Sequence, residues 1–284
     1  GCIECDFLNV GELFVSSGDT IIVVDRPMLD SLINIQYDLS KVCVSQITDF
    51  SYLSFDSGFN DNIGSWDISN GTTMAGMFKG ASSFNQDIGN WNTINVTDMS
   101  FMFEGASSFN QNLNSWNVSN VTDMSSMFKN GNSFNGYIES WDVSNVITMA
   151  AMFQGASTFN QSLYGWRYRL DSVLDMSSMF KNASNFNSPG LHNWWVGHIT
   201  DMSSMFEGAT SYDRSMYNWN AWSATNMASM FKNASSFNGD TRYWSVQNVT
   251  DMSSMFEGAS SFNQQLINWN TSNVTDMSSM FENA

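Results

Sequence analysis

The sequence predicts an α/β solenoid, a right-handed coil in which each turn contributes one short parallel strand and one short helix. Three observations lead there. Nine tryptophans, at positions 66, 91, 116, 141, 166, 194, 219, 244 and 269, are spaced by 25 residues except for one step of 28. Eighteen of the twenty methionines fall in two fixed columns, as in Met99 and Met102. The stretch "NVTDMSFMFEGASSFNQ" at 95–111 returns at 248–264 with one residue changed. A period near 25 held over nine units means stacked repeats, because one such unit cannot bury its Trp, Phe and Met alone.

The chain divides into a cap, 1–44, and a solenoid of nine to ten repeats, 45–284. In the cap, "DTIIVV" reads as a strand and "KVCVS" as a second. Between them "DRPMLDSLINI" reads as a helix, with Asp25 as N-cap and Pro27 in the first turn. "SQITDFSYLSFDSGFN" is a degenerate first repeat in which Phe50 and Leu53 replace the two methionines. The three cysteines lie at 2, 5 and 43. An odd count suggests one disulfide plus one thiol, and a lone C-x-x-C also leaves redox or half-zinc readings open. Cys43 is placed to tie the leading "GCIEC" onto the cap, with Cys5 as the candidate partner.

Within a repeat, Met99, Met102, Phe103 and Ala106 follow the i, i+3, i+4, i+7 spacing of a helix face, with Thr97 and Asp98 at its N-cap. The column that follows holds only Gly and Asn, from Gly80 to Asn283, as expected of a left-handed residue closing a helix. Phe84 and Ile88 flank "NQD" with period 2, a short strand stacked in parallel from coil to coil. Between Trp166 and Trp194 three extra residues enter, two near "RYRLDSV" and one near "NSPGLHN". They should loop out of turns, leaving Met176, Met179 and Phe180 in the core, with the coil continuous.

These residues carry a resemblance. "WNVSNVTDMSSMFKN" and "GASSFNQDIGNW" resemble the repeats of BspA-like leucine-rich-repeat surface proteins, over roughly Ser45 to Ala284. The resemblance implies a leucine-rich-repeat-like coil, an extracellular or cell-surface location, and a role in adhesion or binding. It carries no catalytic residues. The chain departs from the pattern at Trp166–Val173, at Tyr212 and at Thr241.

Composition narrows the function. Of 284 residues, 42% are hydrophobic and 14% aromatic, which excludes a disordered chain. The net charge of −17 argues against nucleic acid and anionic membrane as partners. No apolar run reaches ~18 residues, so no membrane insertion is expected. The chain opens on Gly1 with no leader, which reads as a processed product. It stops at "MFENA", a coil without a cap, which predicts continuation of the chain or self-association there.

Repetition also separates structural columns from variable ones. Lys79, Glu104, Lys129, Gln154, Lys181, Glu207, Lys232, Glu257 and Glu282 nearly alternate in sign and should form a register-setting ladder. The Asn column from Asn60 to Asn263 should form a second ladder between coils. The Asp column (Asp98, Asp123, Asp175, Asp201, Asp251, Asp276) suits capping; calcium is the one cofactor it would suit, and no metal site is otherwise expected. The variable positions are the candidate binding residues: Tyr137, Tyr164, Arg167, Tyr168, Arg169, His192, Trp195, Arg214, Tyr217, Arg242 and Tyr243. Among ten Asn-x-Ser/Thr sites, Asn182, Asn233, Asn70 and Asn120 are the glycosylation candidates. No Ser-His-Asp order, metal-spaced histidines or phosphate loop appears, so no enzyme is expected. The leading expectation is a structural or adhesive extracellular repeat protein, a segment of a surface fibre. The alternative is a module that binds glycan or protein through the variable aromatic and Arg positions.

Overall fold

Residues 3–284 are described by a computed structural model. They form a cap followed by stacked coils around one unbroken apolar core, which runs from Val24 to Met280.

The cap begins with β1 (Leu13–Ser16) and β2 (Asp19–Val23), an antiparallel hairpin. Its turn is Ser17-Gly18, both at positive φ, the two-residue turn whose twist suits a hairpin. β1 has no counterpart among the expected strands. Helix α1 (Arg26–Asn34) follows, and Asp25 accepts the Met28 N–H at its start, as expected of an N-cap. β3 (Val42–Cys43) pairs in parallel with β2. Cys5 and Cys43 form a disulfide that joins the leading segment to this sheet. Cys2 lies outside the described residues.

In the coils, both regular elements differ from expectation. The repeats contain no α-helix; their only helical segments are single 3-10 turns at Tyr164–Trp166 and Leu191–Asn193. The residues expected on the helix face are buried nonetheless, Met99, Met102, Phe103 and Ala106 among them. The backbone hydrogen bonds explain the difference. The N–H groups of Met99, Phe101, Phe103 and Gly105 donate to carbonyls of the next coil, at Asp123, Ser125, Met127 and Lys129. Those of Met102, Glu104 and Ala106 close four-residue turns within their own coil. A neighbouring coil in register offers acceptors that a helix would otherwise supply along its own axis. Two left-handed residues per coil, such as Phe101 at φ 58° and Gly105 at φ 73°, make this path possible. The Gly/Asn column is left-handed as expected, but it turns the coil rather than ending a helix.

The strand is also elsewhere. Phe84–Ile88 forms none. Parallel bridging instead runs through the Asp column, from Asp49 through Thr73, Asp98 and so on to Asp276, one residue per coil. Each aspartate from Asp98 onward accepts the N–H two residues ahead at 2.7–2.9 Å, a local turn that holds the bridging backbone. The column never places three carboxylates in succession: Thr73, Thr148 and Asn226 interrupt it, which limits like-charge repulsion between coils.

The ladder continues across the irregular unit, Thr148 to Asp175 to Asp201. Met176, Met179 and Phe180 stay buried there. Leu170 takes the position that Val143 and Val196 hold in adjacent coils, so Arg167, Tyr168 and Arg169 form the bulge. The second insertion bulges less than expected: only Pro189 is exposed, while Ser188 and Gly190 are buried, Gly190 against Tyr164.

Three aromatic columns fill the core. The Phe column from Phe78 to Phe281 stacks without a gap at 5.4–5.6 Å between ring centroids. A second runs from Phe59 to Phe262 at 5.7–6.1 Å. Trp66 donates its indole N–H to the Leu39 carbonyl of the cap, and each later column tryptophan donates to a carbonyl of the previous coil, all at 2.6–3.3 Å.

One regularity follows from sterics. From Gly105 onward the turn column alternates strictly between Gly and Asn. The amide oxygen of Asn182 occupies the space a Cβ on Gly208 would need, and Asn130 and Asn233 do the same to Gly155 and Gly258. An asparagine stacked on an asparagine therefore forces the lower amide to move, although each alone accepts the left-handed turn. Gly208→Asn should cost about 1–3 kcal/mol. Gly80→Asn, in the same column at a similar φ but with open space above it, should be nearly neutral. Thermal melts of the two variants check this, and equal effects would refute it.

Candidate functional site

Most side chains in the coils are occupied with holding the stack. Lys79 and Lys129 pair with Glu104, Lys181 with Glu207, and Lys232 with Glu257, at 2.8–3.6 Å. The Asn column works as a side-chain-to-backbone ladder. Each N–H from Asn85 to Asn263 donates to the side-chain oxygen one coil back, at 2.8–3.2 Å, Asp213 included. A second ladder uses amide nitrogens: Asn70 donates to the Ser45 carbonyl at 2.8 Å and Asn120 to that of Ile94 at 2.7 Å. A glycan on Asn70 or Asn120 would replace one of the two hydrogens on a nitrogen already held against the preceding coil, which makes both less accessible than the exposed, unbonded amides of the turn column. Asn182 and Asn233 are exposed, and among the described residues their amide nitrogens make no hydrogen bond.

The exposed departures from the repeat gather at the turns around the tryptophan column. Tyr164, His192, Tyr217 and Arg242 each lie two residues before their tryptophan, in four successive coils. They therefore form a row along the coil axis, and the His192 and Tyr217 rings lie 6.0 Å apart and nearly parallel. Beyond the tryptophan, an open cleft of about 430 Å³ is lined by Arg167, Tyr168, Asp171, Asn193, Trp195 and Asn218 over the buried Trp194. A smaller hollow of about 200 Å³ is lined by Pro189, Gly190, His192, Arg214, Ser215 and Tyr217. Residues 192–193 and 217–218 divide their side chains between the two, so the hollows flank a common rim. The Arg167 guanidinium lies 4.0 Å over the Tyr164 ring and 4.6 Å over that of Tyr168, which presents a cation and two rings as one unit.

The candidate residues do not all meet. Arg169 donates to the carbonyls of Ser140 and Trp141 at 2.9–3.0 Å and pins the bulge to the preceding coil. Arg242 is held by both oxygens of Asp240, below Tyr243. Asp240 lies below the usual carboxylate range because Arg242 bonds it. Tyr137 is exposed but occupies another column, four residues before its tryptophan, and lines neither hollow. Trp222, half exposed with its indole packed over Gly197, was not among the candidates. Its signal was present: it and Trp195 are the two tryptophans that break the 25-residue spacing. A further cleft of about 370 Å³ lies where α1 meets the first repeat, lined by residues such as Ile33, Tyr37, Phe55 and Asp61.

The Asp column, each carboxylate engaged in its own turn, gathers no group of three or more acidic, His or Cys side chains able to hold a metal among the described residues. No helix of the described residues is long and apolar enough to cross a membrane.

Tyr212 replaces phenylalanine in its column, fully buried, and its hydroxyl has no partner among the described residues. Burial pushes its pKa far above the ordinary value. Tyr212→Phe should stabilise the fold by about 1 kcal/mol by removing an unsatisfied buried group. Because the folded pKa is raised, the hydroxyl stays protonated in the native chain while the unfolded chain ionises near pH ~10. Stability should fall with pH above that point, and less steeply in the Phe variant. Melts at pH 8 and above ~10 test both statements.

Comparison with known proteins places the chain. A family model for Mycoplasma proteins of unknown function, DUF285, matches residues 26–135, 112–190 and 174–284. No curated protein matches. Among solved structures, a leucine rich cell surface protein from Faecalibacterium prausnitzii A2-165 aligns at 11% identity, over 90% of this chain and 86% of that one, with a TM-score of 0.27. A chain of a TLR13–ssRNA13 complex aligns at 10% identity over 89% of this chain and 44% of that one, with a TM-score of 0.21. Neither likeness is close enough to bear on function.

Proposed function

We propose that this chain, which belongs to the DUF285 family of Mycoplasma proteins, is a non-enzymatic repeat protein of a cell surface that acts in adhesion through one edge of its solenoid. The surface placement draws on the resemblance of its repeats to BspA-like surface proteins. One observation carries the adhesive role. Core, charge and amide ladders are repeated coil after coil, whereas the tryptophan-turn edge between Tyr164 and Tyr243 abandons the repeat and exposes aromatic and Arg side chains. Exposed Tyr, Trp and Arg give large contact area with little entropy to lose, which is the composition of binding hot spots.

Two measurements test this. Antibody labelling of intact cells that carry the protein should match labelling of permeabilised ones; label that appears only after permeabilisation removes the surface placement. Purified protein should attach to cells or extracellular matrix. The triple variant Arg167→Ala, Tyr168→Ala, Trp195→Ala should lose attachment at least about tenfold with an unchanged melting temperature. Attachment equal to wild type would exclude this edge.

A further inference from the structure

We infer that the tryptophan-turn edge takes a carboxylated glycan, a chain of sugar rings bearing carboxylate groups. The inference rests on the adhesive reading above and names its ligand.

Charge points there first. The chain has ten cationic side chains against 27 acidic ones. Seven of the ten pair with a carboxylate: Arg26, Lys41, Lys79, Lys129, Lys181, Lys232 and Arg242. Arg167, Arg169 and Arg214 form no ion pair among the described residues, and all three sit on this edge. In so acidic a chain, free guanidinium groups would find intramolecular partners by chance. Arg169 spends its donors on the Ser140 and Trp141 carbonyls. Arg167 and Arg214 each give one to a carbonyl, of Tyr164 and Asn187, and so keep two cations without a carboxylate on this edge as local positive charge that an anion can fill.

The remaining chemistry selects the kind of anion. Arg167 and Arg214 each line one of the adjoining hollows. The rings beside them, Tyr168, Trp195 and Tyr217, are exposed and leave the hollows open rather than closing an apolar well. Exposed aromatic rings pack against the apolar C–H face of a sugar ring, whereas an apolar side chain of a peptide would find no deep pocket to anchor in. The polar walls are amides and one acid, Asn193, Asn218 and Asp171. Asn193 and Asn218 both donate to and accept from hydroxyl groups, and Asp171 accepts from them, which suits a hydroxyl-rich chain. The row from Tyr164 to Arg242 continues over four coils, so an extended chain laid along the axis meets the same features repeatedly.

The probe is hexagalacturonate, compared by calorimetry with the same hexasaccharide fully methyl-esterified and with a hexaglutamate peptide. The acidic sugar should bind and weaken with salt. The ester and the peptide should each bind at least about tenfold less well. Arg167→Gln and Arg214→Gln should each weaken binding about tenfold; Arg214 is exposed, so its variant remains informative should Arg167→Gln unsettle the bulge. Equal binding of the ester, preference for the peptide, or no binding of hexagalacturonate would each overturn the inference. If the edge variants lose cell attachment while hexagalacturonate fails to bind, the adhesive reading stands and only the ligand class falls.

Discussion

Trp141→Ala is expected to destabilise the chain by about 3–5 kcal/mol, the upper range for truncation of one buried side chain. Trp141 is 1% exposed in the middle of the stack. Its ring lies between those of Trp116 and Trp166, each 6.4 Å away, and against Phe128 at 6.5 Å. Its indole N–H donates to the Leu113 carbonyl at 2.8 Å. Alanine leaves a cavity that rigid neighbouring coils cannot close and strands a buried carbonyl. The matching change in the last coil, Trp269→Ala, should cost about half as much. Trp269 is only partly buried and stacks on a single tryptophan, Trp244. The difference is the signature of a chain whose stability is a sum over neighbours. Urea unfolding of both variants measures it, followed by two probes because a repeat array need not unfold in one step. Equal costs would mean that coupling between neighbouring coils does not dominate the core.

Breaking the Cys5–Cys43 disulfide should have the next largest effect. The cysteines are 38 residues apart, and the chain-entropy relation assigns closure of such a loop about 4 kcal/mol. The bond lies in a small apolar cluster with Ile21 and Val23, separate from the main core. Besides the bond, the leading segment is held mainly by hydrogen bonds: Ile3 donates to the Ser65 carbonyl, Cys5 to the Ser45 hydroxyl, Ser45 to Asp6, and Gln46 to the Cys5 and Leu8 carbonyls. Reduction should therefore loosen the cap before the coils. A low-temperature unfolding step should appear in dithiothreitol and in Cys5→Ala, Cys43→Ala, made with Cys2→Ser to prevent exchange. A single unchanged transition under reducing conditions would show that the cap is held by packing alone.

Much of the interior was legible because repetition inside one chain acts as its own record of constraint. The methionine, phenylalanine and tryptophan columns marked the buried positions, and the restriction to Gly and Asn marked a left-handed turn. The alternating Lys and Glu pointed to a ladder that the ion pairs at Glu104, Glu207 and Glu257 realise. The path of the backbone between those positions was not legible. Met99, Met102, Phe103 and Ala106 have helical spacing, yet their coil hydrogen-bonds sideways. Side-chain periodicity reports which residues face inward; it does not report where the N–H groups go.

The candidate site divides along the same line. Residue type alone picked out Arg167, Tyr168, His192, Trp195, Arg214 and Tyr217, which line the two hollows. It could not separate them from Arg169, because engagement by the Ser140 and Trp141 carbonyls depends on contacts made in three dimensions, while the Asp240 that holds Arg242 stands two residues away in the sequence. It also passed over Trp222. The sequence by itself determined the repeat, its length, its inward columns and the place of its irregular unit, since these follow from the need of every coil to bury the same apolar groups against its neighbours. The tertiary structure alone decided that the backbone pairs at the Asp column, that an asparagine stacked on an asparagine meets its neighbour's amide in the turn column, and that Arg169 is held by the preceding coil. Each of those depends on what lies one coil away, 24 to 29 residues distant in sequence and adjacent only after the chain has wound.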